Sequence, residues 1–192
     1  MTTTTASHHP LVAVLEELNG RNVDAMGIHS MIDVEASASG EVLRSEAVVQ
    51  PGGGAGPLHR HRFQTERFDV LEGEITGRLG RSRLRVKAGE SFFIPADAPH
   101  SFSVEGDEPA RFICEFRPGL RLAEFFAQFF TLADQGLERD PLAMALLART
   151  YPQEFFYVPT IPAAMQQAIA RPLAALARRR GYSPDPAGLL AR

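Results

Sequence analysis

The feature that most restricts this chain is the punctuation of its middle. Eleven of its 16 glycines fall between Gly40 and Gly119, and they separate short runs in which apolar and polar residues alternate. Ile28, Ser30, Ile32 and Val34 alternate with His29, Met31, Asp33 and Glu35. Leu43, Ser45, Ala47 and Val49 alternate with Arg44, Glu46 and Val48, and similar runs follow over 66–72, 74–79, 82–87, 91–94, 100–105 and 111–117. Gly73, Gly80, Gly89, Pro95, Gly106 and Pro109 stand between them. A period of two marks half-buried strands, and about eight short strands at this spacing predict a sandwich or barrel.

After Gly119 the period changes. Leu122, Phe125, Phe126, Phe129, Phe130 and Ala133 fall at helical spacing and predict an amphipathic helix that ends near Gly136. Further helices are expected over 142–150 and 163–180, with Pro172 interrupting the last. The phenylalanine stripe reads as core, the inner face of a helix packed on the outside of the barrel. Arg178, Arg179 and Arg180 read as a solvated helix end that complements the dipole. At the N-terminus, residues 11–18 form a short amphipathic helix with Pro10 near its start and Gly20 just past its end, after an unstructured tail over 1–9. The organisation expected is therefore an N-terminal segment over 1–24, a barrel over 25–118 and a helical extension over 119–192.

Composition narrows the partners. At 192 residues the chain suits one globular domain with a real core, plus an appendage. A single cysteine, Cys114, rules out an intrachain disulfide framework and points to a reducing compartment. A net charge of −3 gives no support to a nucleic-acid or membrane-surface partner. With no targeting signal and no apolar run long enough to span a bilayer, a cytoplasmic protein is expected.

Chemistry concentrates at four residues. Gly53, His59, His61, Glu66 and Gly73 read G-x5-H-x-H-x4-E-x6-G; Gly89, Pro95 and His100 read G-x5-P-x4-H. Residues two apart on a strand share a face, so His59 and His61 point the same way. Glu66 opens the next strand and can aim at the same point, and His100 starts another that can lie opposite. Three imidazoles and a carboxylate suit a divalent first-row metal with coordination positions to spare. The other histidines attract no such role: His8 and His9 lie in the tail, and His29 is on the polar face of its strand.

Both runs resemble the two motifs of the cupin superfamily, small β-barrels of jelly-roll type. Every fixed position of the first motif is matched, and the gap from Glu74 to Ala88 is 15 residues, as in short single-domain microbial cupins. In the second motif Asp97 replaces a glycine and Val104 an asparagine; neither is a ligand. The resemblance implies an all-β jelly-roll barrel with a C-terminal α-helical extension, with His59, His61, Glu66 and His100 on a metal. The tail resembles that of bacterial cupins of the quercetin-dioxygenase-like conserved-barrel type. Iron(II) is the first expectation; manganese, nickel, zinc and copper also suit the donor set.

Alternation from Glu66 adds Phe68 and Val70 to its face, alternation from His100 adds Phe102 and Val104, and Phe112, Cys114 and Phe116 form the apolar face of the last strand. This pocket suits an apolar or aromatic small molecule better than a sugar or nucleotide. Arg60 and Arg62 flank the ligands on the opposite face and are expected to meet solvent or a subunit partner. Three classes follow from the resemblance: a metal-dependent oxygenase; a redox-neutral isomerase, lyase or cyclase in which Glu66 shuttles a proton; and a noncatalytic small-molecule binder. The metal-free sugar epimerases of the superfamily use a barrel tyrosine, whereas Tyr151, Tyr157 and Tyr182 all lie in the tail. A DNA-binding regulator lacks a helix-turn-helix here. Cupins commonly pair through sheet edges, so a homodimer is expected.

Overall fold

The computed structural model describes residues 10–23 and 26–183; the expected N-terminal tail, with His8 and His9, lies outside the described residues. The chain runs α1 (Pro10–Leu18), β1 (Arg21–Val23), β2 (Ile28–Ile32), α2 (Val34–Ser37), β3 (Leu43–Val49), β4 (Thr65–Glu72), β5 (Glu74–Leu79), β6 (Ser82–Lys87), β7 (Ser91–Ile94), β8 (His100–Ser103) and β9 (Ala110–Arg117). It ends in α3 (Leu122–Asp134), α4 (Pro141–Thr150) and α5 (Ala163–Arg179). A six-stranded sheet in the order β1-β2-β3-β9-β4-β7 faces a three-stranded sheet in the order β6-β5-β8, and every pairing is antiparallel. The two sheets form the jelly-roll barrel that the motifs imply, followed by C-terminal helices. No helix among the described residues is long and apolar enough to cross a membrane.

The core follows the alternation. Ala47, Val49, Phe68, Val70, Ala110, Phe112, Cys114 and Phe116 are all buried on the inner face of the large sheet, opposite Ile75 and Val86 of the small one. Phe68 stacks on Phe92 with centroids 4.5 Å apart and meets Phe102 and Phe112 edge-on or tilted, so aromatic packing joins the two sheets.

Three elements depart from the pattern. The alternating run from Ile28 continues in sequence to Glu35, yet the strand stops at Ile32, because the Asp33 carboxylate accepts from Ala36 N at 3.0 Å and caps the short helix α2. β1 has three residues and no room for a readable alternation. Pro172 does not interrupt α5, which is continuous through it; a proline costs a hydrogen bond without necessarily ending a helix packed against a neighbour.

Two glycines of the motifs are dictated by space. A Cβ on Gly53 would lie 2.6 Å from Met26 O. One on Gly73, where φ is +72°, would lie 2.4 Å from Pro109 O. They bracket the ligand run and fix where it enters and leaves the barrel wall.

Candidate metal centre

The site is built on short backbone pairings. His59 and His100 pair as an antiparallel bridge, His59 N donating to His100 O at 2.9 Å and His100 N to His59 O at 2.8 Å. His61, two residues on, accepts through its carbonyl from Asp97 N at 2.6 Å. Asp97 has φ 63°, which explains why this position of the motif favours glycine: the turn before His100 needs a left-handed residue, and aspartate is among the side chains that tolerate it. Glu66 enters from β4, between Ile94 of β7 and Phe116 of β9.

These elements bring one ring nitrogen each of His59, His61 and His100 within 4.8 Å of one another. All three rings and Glu66 are buried. His59 Nδ1 lies 2.9 Å from Pro57 O and His100 Nδ1 2.9 Å from Ala98 O. A carbonyl only accepts, so both Nδ1 atoms carry a proton, and each ring in its neutral form presents its lone pair at Nε2. Glu66 Oε2 lies 3.0 Å from His100 Nε2 and 3.7 Å from His61 Nε2. Glu66 Oε2 and His100 Nε2 nonetheless lack an aligned hydrogen-bond partner among the described residues. Buried ring nitrogens brought together at one point, with the opposite ring atoms of His59 and His100 tied to carbonyls, fit a divalent cation. The thiol of Cys114 donates to the other carboxylate oxygen, Glu66 Oε1, at 3.3 Å.

The electrostatics agree with this. Burial, reinforced by the neighbouring His100, lowers His59 to about 4, and burial lowers His61 to about 3 despite the nearby carboxylate. Both rings are therefore neutral, ligating forms at neutral pH. Burial alone would raise Glu66, but the imidazoles of His100 and His61 hold it below the ordinary carboxylate value. For His100 burial is outweighed by Glu66, and the ring sits above the ordinary imidazole value. Burial, with Glu66 adding to it, pushes the Cys114 thiol well up, so it is a neutral donor rather than a nucleophile.

A cavity of about 80 Å³ opens beside the imidazoles. Of the residues the sequence placed on its wall, Phe68, Phe102, Phe112, Cys114 and Phe116 line it, together with His59, His61 and Glu66. Val70 and Val104 do not: both are buried in the core away from the cavity. Alternation assigns a face but not where on that face the free volume lies. Phe112 is paired with Val70 on one side and Ala47 on the other, and Ala47 lines the cavity, so at this level of the sheet the cavity lies on the β3 side.

Sequence reasoning missed much of the remaining wall. Ile28, Ser30 and Ile32 of β2 and Leu43, Ser45 and Ala47 of β3 line it, and their shared alternation was the signal that could have found them. Phe126, Phe130 and Phe156 come from the helical extension. The phenylalanine stripe is thus divided: Phe125 is buried in the core, while Phe126 and Phe130 close the cavity. The expectation of a helix packed only on the outside of the barrel is corrected accordingly. Arg60 also turns inward to the extension, its guanidinium 3.5 Å from Asp97 and 3.4 Å from Ile161 O, whereas Arg62 lies over the Phe63 ring.

Residues 45–116 match the family described as Cupin domain. An uncharacterized protein of Methanocaldococcus jannaschii is 33% identical over 70 residues, covering 36% of this chain and 55% of the relative. Among solved structures, a sugar phosphate isomerase from a cupin superfamily of Silicibacter pomeroyi is 24% identical with a TM-score of 0.44, covering 48% of this chain and 61% of that one. KdgF from a Halomonas species is 22% identical with a TM-score of 0.41, covering 48% and 81%. The chain thus spans only part of the length of the first two. Taken with the motif residues and the two facing sheets, the match shows residues 45–116 to be a cupin domain.

Proposed function

We propose that this cupin is a metal-dependent oxygenase of a small, apolar-bodied organic molecule, with His59, His61, His100 and Glu66 holding iron(II). The observation that carries the reading is the union of this donor set with an apolar, largely aromatic cavity whose lining, among the described residues, contains no arginine or lysine. Among the described residues and apart from the donors, Ser30 and Ser45 offer hydroxyls there and Cys114 a thiol. A phosphorylated or polyhydroxylated substrate would leave its charges and hydroxyls unpaired against such a wall. Bound to these residues, the metal supplies open coordination positions and, as iron, redox chemistry with dioxygen.

The chain's own residues do the rest. Pro57 O and Ala98 O hold two imidazoles in the ligating tautomer. The Cys114 thiol orients Glu66. The phenylalanines exclude water from the reacting volume. The size of the cavity also bears on the substrate. A 150 Å³ apolar cavity holds benzene, so about 80 Å³ selects for something smaller than an aromatic ring.

The test is metal analysis of protein purified without chelator, followed by oxygen uptake with small enol and enediol chelators, catechol-like and flavonol-like compounds. Stoichiometric iron with oxygen uptake by the smallest chelators is expected. Stoichiometric zinc without uptake would count against the oxygenase, and a metal-free wild type indistinguishable from His59→Ala would remove the metal altogether. The 3.0 Å approach of Glu66 to His100 favours one second reading, a redox-neutral isomerase, lyase or cyclase in which Glu66 moves a proton held between them. Turnover without oxygen, lost in Glu66→Gln, would select it.

A further inference from the structure

The segment between α4 and α5 reaches over the mouth of the barrel. Arg60, which separates the two histidines of the ligand run, pairs its backbone with Tyr157: Arg60 N donates to Tyr157 O at 3.0 Å and Tyr157 N to Arg60 O at 3.1 Å. The ligand run is therefore held on one side by His100 and on the other by the C-terminal extension. Phe156, next to Tyr157, lies on the imidazoles themselves. Its ring stacks on His59 at 4.9 Å and 19° and meets His61 edge-on at 4.4 Å.

The segment is clamped rather than loose. The buried Tyr157 hydroxyl donates to Pro152 O at 2.8 Å and accepts from Gln167 Nε2 at 2.6 Å. Gln166 accepts from Val158 N through Oε1 and donates through Nε2 to Val158 O and Ile161 O. Phe125 backs the Phe156 ring at 4.9 Å. With its backbone and both flanks tied, Phe156 is a fixed wall, and the about 80 Å³ beside it is the space it leaves.

We infer that Phe156 determines the specificity of the site: it caps the donor histidines and restricts the occupant to small chelators without a ring. The inference rests on the metal-binding reading above and deepens it by naming the substrate class and the residue that imposes it. Truncating Phe156 removes a phenyl group lying against the imidazoles, so the space released abuts the donor rings and has the shape of a ring. Phe129 provides the comparison, since it belongs to the same aromatic cluster, stacking on Phe125 at 6.0 Å and meeting Phe130, but does not line the cavity.

The experiment uses full-length protein loaded with Co(II), whose visible spectrum reports ligand binding without turnover. Co(II) is titrated first, then acetohydroxamate and benzohydroxamate, which share a chelating head and differ in a methyl against a phenyl body. Wild type is expected to prefer acetohydroxamate by about tenfold or more, the scale on which a packed pocket rejects excess bulk. Phe156→Ala is expected to reverse that order while Co(II) affinity stays within about threefold, and Phe156→Leu, which keeps an apolar contact with Phe125, to fall between. Phe129→Ala is expected to leave the ratio within about threefold of wild type. A wild type preferring benzohydroxamate, a ratio unmoved in both Phe156 variants, or an equal shift in Phe129→Ala would overturn the inference while Co(II) binding left the metal reading standing. Failure of the wild type to bind Co(II) would overturn the metal reading and this inference together.

Discussion

The rim of the barrel and the segment over it hold their residues in opposite ways. At the rim, His59 is oriented by Pro57 and His100 by Ala98, each two residues away, and the two strands lock through a single bridge. Phe156 reaches the same imidazoles only because α4 and α5 carry its segment across and Arg60 pairs with Tyr157. The comparison suggests a division of labour: the donors are a local product of the barrel, and the shape above them is a tertiary product of the extension. If so, the two respond separately to substitution.

The largest expected effect breaks the rim. His61→Ala removes one of three convergent imidazoles and should cut metal affinity well beyond the ~10–100-fold typical of losing an outer-shell partner. Metal content after dialysis measures it. The same measurement on Phe156→Ala should show near wild-type content, and an equal loss in both variants would break the proposed division.

The second effect is pH dependence. His59 and His61, lowered to about 4 and about 3, need lose no proton to bind a metal at neutral pH. His100 is raised by Glu66 against its burial, so below its folded pKa it must release a proton when the metal arrives. Metal affinity should therefore rise about tenfold per pH unit in that range and flatten above it. Buffers of different ionisation enthalpy should show about one proton released per metal below that pKa. In the metal-free protein the lowered histidines act with the opposite sign to His100. Between about 6.5 and about 4 the unfolded chain takes up protons that folded His59 and His61 refuse, so their contribution to stability falls as pH falls. The contribution of raised His100 is present at low pH and lost as pH rises through its folded pKa. A melting series across this range, with Glu66→Gln to remove the charge facing His100, separates the two.

The same contrast explains what could be read from sequence. The strand runs, the two glycines without room for a Cβ and the convergent histidines depend on periods of two and on fixed spacing, which are local. Phe156 has no periodic signal: it is the middle of three consecutive aromatics, Phe155 to Tyr157, in a turn-rich segment, and its role depends on contacts with residues far earlier in the chain. Val70 and Val104 erred in the other direction, since alternation gave their face correctly and could not give where on that face the free volume lies. The end of β2 escaped because Val34 and Glu35 continue its alternation while a hydrogen bond from Asp33 turns the backbone into α2.

A third effect loosens the extension alone. Replacing Gln166 and Gln167 together by alanine removes the bonds to Val158, Ile161, Ala148 and the Tyr157 hydroxyl. At about 1 kcal/mol per hydrogen bond, partly offset by water at this half-exposed site, the melting temperature should fall by several degrees. Metal content should hold, while the acetohydroxamate preference should weaken. A loss of metal equal to that in His61→Ala would mean that the extension builds the donors as well as the shape.

The smallest effect tests the joint between the two regions. Asp97 donates its backbone N–H to His61 O, and its carboxylate lies 3.5 Å from the Arg60 guanidinium, which in turn reaches Ile161 O. Asp97→Gly keeps the left-handed turn at φ 63° and loses only an exposed ion pair, worth about 0–1 kcal/mol. Relief of the strain of a Cβ at positive φ works the other way, and the added freedom of the unfolded glycine chain offsets part of that relief, so the net change should stay within about 1 kcal/mol. Asp97→Val places a β-branched side chain at the same φ and should cost clearly more, with weaker metal binding if the His61 carbonyl loses its partner. Glycine and valine giving equal losses would trace the role of Asp97 to the Arg60 pair, and so to the extension; a loss confined to valine would trace it to the turn, and so to the rim.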